Sequence, residues 1–424
     1  MNLKNFNVDK EKFTFVSELE KEFEDTRPSL TYWADAWRRF KKSKLAMLGL
    51  LGVFCIILFG VAGPYFFQAS YSDQRNEFRN LSPRLVLYEI DDGLFVHVSN
   101  DYNMFIVGAK GESLESLKQI EREEVLQGRT DFGEILSPSQ IKQQRDALQQ
   151  TNIKIYAYQE DEIILDFSSK MNKIEDLNYS ITYRGKTTTA PAKAVHNRIY
   201  PFGSDNLGRD LMIRVMYGAR ISLLVAFIAT LVNFLIGVVY GAISGYEGGQ
   251  VDDIMMRIVD VINSVPLVLY IILLMVLIRS QGGLGTIILA IGTVYWVVMA
   301  RLVRGQILSL KEQEFILAAH ALGVPRSKII FRHLIPNAMG PIIVSSTMMI
   351  PDAIFTESFL SFIGLGVSAP MASWGTLANN ALSGLLTYPY QMFFPAMSIA
   401  ITMLAFNFVG DGLRDALDPR LRKG

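Results

Sequence analysis

LAMLGLLGVFCIILFGVAGPYFF, residues 45–67, decides the class of this protein. It is an uncharged run of 23 apolar or small residues, longer than the roughly 20 a helix needs to cross a bilayer. Arg38, Arg39, Lys41, Lys42 and Lys44 stand just before it. Positive charge stays on the inner side of a membrane, so this first span runs outward from a cytoplasmic N-terminus. Trp33, Trp37 and Phe40 recur among those bases at helical spacing, which predicts a helix lying in the interface; a soluble helix with exposed aromatics is the alternative. Residues 1–44 are too charged for a cleavable signal peptide and read as a cytoplasmic segment.

Working outward, apolar stretches recur at 221–246, 261–278, 286–303, 339–363 and 392–409. Alternating six spans from an inside start places Arg257, Arg301, Arg304, Lys311, Arg326, Lys328, Arg332, Arg414, Arg420, Arg422 and Lys423 inside, and only Arg279 in a short outside loop. The expected fold is therefore an all-α polytopic membrane protein with six transmembrane helices and both termini cytoplasmic. Residues 68–205 then lie outside the cell, where positions 70–205 hold 21 acids and 16 bases. Residues 94–98 and 153–167 alternate like strands, while 112–127 and 139–150 read as polar helices. Together they predict an extracellular α+β domain inserted between spans one and two, with enough aliphatic and aromatic residues for a core.

The whole chain of 424 residues has 41 Lys and Arg against 41 Asp and Glu, so it lacks the basic surplus of a nucleic-acid binder. Its mean hydropathy of only +0.24 is an average over membrane and water-facing parts. The single cysteine, Cys55, excludes an intrachain disulfide, and His97, His196, His320 and His333 show no metal-ligand spacing. No phosphate-cradling glycine loop, nucleophile elbow or zinc helix is present. The chain is expected to be no enzyme, so uphill transport would draw its energy from a partner or an ion gradient.

The informative loop lies at about 301–336, between spans four and five. Residues 312–322, including Glu314, Ala318 and Ala319, favour a helix; Gly323 suits its left-handed cap, Pro325 stops it, and a second short helix is expected to end at Pro336. Ala318, Ala319 and Ala321 keep this helix-turn-helix thin enough to enter a groove on another protein. A hairpin that packs only on its own bundle fits the same pattern.

Ala318-Ala319, Gly323 and His333-x-Ile335-Pro336 resemble the "EAA" coupling loop of ABC importer permeases, with Leu317 where that motif's name has Glu. The second half is similar to the C-type permease subunit of dipeptide and oligopeptide importers. The resemblance is carried by Gly203-Ser204-Asp205-Asn206-Leu207-Gly208-Arg209-Asp210, Tyr217-Gly218-Ala219-Arg220, Gly245-Tyr246-Glu247-Gly248-Gly249, Arg257-Ile258-Val259-Asp260, Leu360-Ser361-Phe362-Ile363-Gly364-Leu365-Gly366, Ser373-Trp374-Gly375 and Asp411-Gly412-Leu413-Arg414-Asp415-Ala416-Leu417-Asp418-Pro419-Arg420. Trp37-Arg38-Arg39-Phe40 matches too, so the likeness covers about 1–67 and 200–424 but not the external block. It implies a type I ABC importer permease fold, with residues 206–424 as the core. It also implies a bacterial plasma-membrane location and a pore shared with a homologous B-type permease. Two cytoplasmic ABC ATPases would supply the ATP and magnesium chemistry, an extracellular peptide-binding lipoprotein would deliver peptide, and the loop at Ala318, Ala319 and Gly323 would dock into one ATPase.

At bilayer depth, Asp352 and Glu357 on span five stand out, with Asn233 and Asn407 as weaker cases, because an ionisable group there must face protein or water. They are expected to line the path or gate, or to hydrogen-bond across a helix interface. Gly237, Gly241 and Gly245 form a small-residue stripe for helix packing, and Asp253 with Arg257 is expected to be a local ion pair. The external block would seat the binding protein, stabilise the heterodimer or be an inert insertion. Other cargo, such as nickel chelates or opines, fits the same machinery. A membrane scaffold recruiting partners is the reading from another class, and a secondary transporter is expected to show paired inverted repeats or broken helices that bind ions, neither of which stands out in the sequence.

Overall fold

Ser43 separates the first two described helices because its side chain accepts the Ala46 N–H at 3.3 Å, ending α1 (Tyr32–Lys42) and starting α2 (Lys44–Val61). The structure is a computed structural model, and it describes residues 32–67, 70–122, 155–158, 163–166, 179–278, 284–367 and 370–418. Trp33 and Trp37 are exposed, but Phe40 is buried against Ala46 and Ala416, in the space left beside Gly412. The two tryptophans thus share the exposed side of α1 and Phe40 faces its neighbours.

The described part of the inserted block is β-structure. β1 (Arg84–Asp91), β2 (Leu94–Val98), β3 (Met104–Val107), β4 (Leu114–Ser116) and β10 (Lys193–His196) form one antiparallel sheet in the order β10-β1-β2-β3-β4. β5 (Gln119–Arg122), β6 (Ile155–Tyr158), β7 (Ile163–Asp166), β8 (Ser180–Tyr183) and β9 (Lys186–Thr188) form the second in sequence order. Tyr88, Ile90, Val96 and Met104 of the first sheet pack on Tyr158, Ile163, Leu165 and Ile181 of the second. Leu85, Leu87 and Phe105 face the other way, onto Phe78, Leu81 and Tyr200. The strand expected at 94–98 is β2, and within the stretch 153–167 the described residues form two strands, β6 and β7, the other positions lying outside the described residues. The helix expected at 112–127 is instead β4 and β5 as far as 122; positions 123–127 and the helix expected at 139–150 lie outside the described residues. Gly111, at φ +73°, turns the chain so that Gly108 N–H reaches Ser113 O, and β4 then pairs with β3. That ladder overrides the weak helical preference of an isolated polar segment.

Asp210 caps α3 (Leu211–Glu247), accepting the Met212 and Ile213 N–H groups at 2.8 and 3.3 Å; Gly248 at φ +67° ends it. α3 packs on α7 (Trp296–Lys311), α10 (Ile335–Leu360) and α6 (Leu284–Val294). Helix α12 (Pro389–Leu417) lies against α2 and α10. Among the described residues, five helical stretches are long and apolar enough to cross a membrane: Lys44–Val61, Leu211–Glu247, Leu284–Lys311, Arg326–Leu365 and Pro389–Leu417. The third expected span is not straight. α4 (Gly249–Ser264) and α5 (Leu267–Ile278) meet at 87°, and only the bent pair counted as one brings the number to six. Pro266 explains the break, since a proline disfavours helical geometry at the residue before it, Val265.

Candidate functional site

The loop after α7 begins as expected and ends differently. α8 (Glu314–Ala321) stops where Gly323 adopts φ +72°, and Gly323 and Val324 N–H groups bond back to His320 and Ala319 carbonyls. Pro325 caps the short α9 (Arg326–Lys328), which continues through a π-helical turn (Ile329–Leu334) straight into α10. Pro336 therefore sits in the first turn of α10 instead of ending a separate helix.

Burial sorts the residues of α8. Ile316 and Ala319 face inward onto Val303, Ile307 and Ile329, whereas Phe315, Ala318 and Leu322 are exposed at spacing i, i+3, i+7. Leu322 is 83% exposed. Glu314, Gly323, Pro325 and Pro336 are exposed as well. Behind this knob, Tyr246 Oη and His320 Nε2 are 2.9 Å apart with stacked rings, and Arg326 pairs with Glu247 at 3.0 Å. Lys311 Nζ donates to Gly245 O at 3.1 Å. The loop is thereby fastened to the end of α3.

The polar residues at bilayer depth divide. Glu357 is fully buried, and its carboxylate accepts Ser222 Oγ at 2.9 Å, Ser361 Oγ at 2.8 Å and Ser358 Oγ at 3.4 Å. Ser222 in turn accepts the Trp374 N–H at 3.3 Å, and Ser373 Oγ donates to Ser361. Glu357 thus joins α3, α10 and α11 (Trp374–Ala381). Asp352 is exposed on the α10 face that also carries Phe355 and Phe359, and Asn407 is exposed on α12. Asn233 is buried in α3, and its Oδ1 has no hydrogen-bond partner among the described residues. Gly237, Gly241 and Gly245 lie against the α7 backbone and side chains at Trp296, Met299, Ala300, Val303 and Arg304. Asp253 and Arg257 form no ion pair; the pairs are Asp252–Arg304 at 2.5 Å and Asp260–Arg301 at 2.7 Å. Both cross to α7; Asp252 is buried there, whereas Asp260 and Arg301 meet on the exposed surface.

Sequence reasoning missed three features. The serine cage of Glu357 had two local signals, Ser358 at i+1 and Ser361 at i+4. The Tyr246–His320 contact spans 74 residues and had none. The third is Asp205, which bonds Arg209 Nε at 2.7 Å and also Arg214.

Comparison with known proteins adds the following. Residues 237–423 match the family described as binding-protein-dependent transport system inner membrane component, and residues 31–83 match the N-terminal TM domain of oligopeptide transport permease C. The oligopeptide transport system permease protein OppC of Bacillus subtilis is 55% identical over 222 residues, 52% of this chain and 72% of that protein. The dipeptide transport system permease protein DppC of the same organism is 54% identical over 223 residues, 52% of this chain and 69% of that protein. OppC of Escherichia coli K12 is 47% identical over 221 residues, 52% and 72% of the two chains.

Proposed function

The chain belongs to the family of binding-protein-dependent transport system inner membrane components, and on that premise we propose that it is the C-type pore-forming subunit of an ATP-driven importer of oligopeptides or dipeptides in a bacterial plasma membrane. The substrate class follows from relatives named as oligopeptide and dipeptide permeases. In this reading residues 1–44 and the 301–336 loop are cytoplasmic, residues 45–67 form the first span, 68–205 are extracellular and 206–424 make the permease core. A homologous B-type permease completes the pore, two ABC ATPases bind ATP with magnesium, and a peptide-binding lipoprotein delivers cargo.

The observation that carries the mechanism is the exposed apolar face Phe315, Ala318 and Leu322 on a helix tied to α3. An ATPase that grips this face and closes on ATP moves α8, and the Tyr246–His320 and Glu247–Arg326 links pass that movement to α3. Rigid-body displacement of packed helices then switches the pore between inward- and outward-facing states. This chain supplies the joint and the path, and the ATPases supply the hydrolysis.

Leu322→Glu and Gly323→Val test the joint in the reconstituted complex. Leu322→Glu alters an exposed side chain and leaves the bundle intact. Gly323→Val places a β-branched residue at φ +72°, strained by about 1–2 kcal/mol. Both variants are expected to insert and to lose ATP-driven peptide uptake relative to ATP hydrolysis. Uptake and coupling ratio equal to wild type in both would refute the proposed role of α8.

A further inference from the structure

Where the start of α3 meets the end of α10 and the segment carrying α11, a cavity of about 380 Å³ opens, lined in part by Asn206, Arg209, Arg214, Thr376, Asn379 and Asn380. Its charge is unbalanced. Arg209 and Arg214, 9% and 3% exposed, share the single carboxylate of Asp205. The other oxygen of Asp205 accepts the Leu207 and Arg209 N–H groups. Arg214 Nε is buried with no hydrogen-bond partner among the described residues. Glu357 stands behind Ser361, which lines the cavity, and its oxygens are taken by Ser222, Ser358 and Ser361.

Two buried guanidinium groups on one carboxylate leave a positive charge that is costly without a counter-ion. Guanidinium groups match carboxylates in planar, two-pronged geometry, and the surrounding asparagine and threonine side chains add polar partners. Leu207, Val367 and Met371 put an apolar wall beside them. The cavity is therefore suited to an anion attached to an apolar or mixed body, which describes the end of a peptide.

We propose that this cavity is a carboxylate subsite at the extracellular mouth of the pore, taking the C-terminal carboxylate of a peptide as it enters. The proposal rests on the importer reading above, which puts this end of α3 outside. Every unmodified peptide carries that carboxylate, so such a subsite serves cargo of any side-chain sequence.

The test compares uptake of one peptide with a free C-terminus and of its C-terminal amide by the complete importer in liposomes, each with saturating binding protein. Wild type favours the free acid. Arg209→Gln and, separately, Asn380→Asp at an exposed lining position lower uptake of the free acid about tenfold, as expected for a lost charged hydrogen bond, and leave the amide within twofold. Arg209→Lys restores part of the preference. Equal loss for both peptides, or an unchanged ratio in both variants, overturns the subsite. Failure of both variants to co-purify with the second permease also overturns it, assigning the cavity to a partner's acidic side chain. A wild-type complex that imports neither peptide removes the importer reading itself.

Discussion

Gly241→Ala is a strict test of the packing between α3 and α7. A Cβ at Gly241 would stand 2.9 Å from Val303 Cβ and 3.0 Å from the Ala300 carbonyl carbon, with the carbonyl oxygen nearer still. Carbon atoms prefer about 3.5–4.0 Å, so α7 must retreat by at least about half an ångström. The obstacle is helix backbone, which cannot rotate away as a side-chain tip does. Overpacking of this kind costs about 1–3 kcal/mol. Gly305→Ala on α7 is the control, because a Cβ there meets nothing within 4 Å. Both changes replace glycine by alanine in a helix interior, so the propensity gain of roughly 1 kcal/mol cancels between them. The difference isolates the clash. Thermal unfolding of the two purified variants in nanodiscs should separate them by several degrees, with Gly241→Ala lower. Midpoints within a degree of each other would refute the close-packing argument.

Three further outcomes follow from individual contacts. Ser222→Ala removes a donor to Glu357 and the acceptor of Trp374 N–H, so it should destabilise by about 1–3 kcal/mol, more than Ser358→Ala, whose bond is long at 3.4 Å; the reverse order in thermal unfolding would contradict this. Burial lifts the Asp210 carboxyl from 3.8 to about 6, against the opposing Ile213 and Met212 N–H bonds. A carboxyl with a raised folded pKa stabilises while protonated. That contribution is complete below about pH 4 and is lost as pH rises through about 6. Asp210→Asn keeps a good N-cap and should flatten the fall in stability between those values; an unaltered pH profile would refute the assignment. Tyr388 Oη donates to Asp101 at 2.6 Å, joining the sheet domain to the start of α12. Tyr388→Phe should cost about 1.5–3 kcal/mol locally and speed amide exchange at residues 384–391, whereas unchanged exchange would show that the seam does not hold that segment.

What the sequence revealed depended on how local each cause was. The uncharged run at 45–67 and the cap at Gly323 are decided by residues a few positions apart, so span one and the first half of the loop were legible. Pro266 was visible, but an 87° bend needed its consequence for Val265 to outweigh a continuous apolar stretch. Residues 114–122 carry Glu and Lys at spacings a helix tolerates, and only their partner strands, β3 for β4 and β6 for β5, make them β-structure. Glu357 was flagged as costly at membrane depth; that serines from α3, α10 and the segment before α11 saturate it is a tertiary fact. Ala319 was grouped with Ala318 by type, yet a helical turn puts one inside and one outside.

The helices differ in stiffness, and the difference bears on how movement crosses the bundle. α3 has 37 residues, a side-chain cap at one end, a left-handed glycine at the other and no internal proline. At 1.5 Å per residue it is about 55 Å long, well beyond the roughly 30 Å of bilayer hydrocarbon. α10, by contrast, contains Pro341 and Pro351, follows a π-helical turn at Ile329–Leu334 and runs into a kink at Gly364, where φ is +90°; prolines and π-helical turns are usual sites of helix bending. α12 contains Pro395. The Gly237, Gly241 and Gly245 stripe holds α7 against the stiff helix, and Asp252–Arg304 fastens α4 to α7. In the proposed importer a pull at α8 therefore displaces α3 and α7 as one body, and the bending falls on α10. The far end of α3 holds Arg214 and its shared carboxylate, so the same displacement that answers ATP on one side reshapes the cationic cavity on the other.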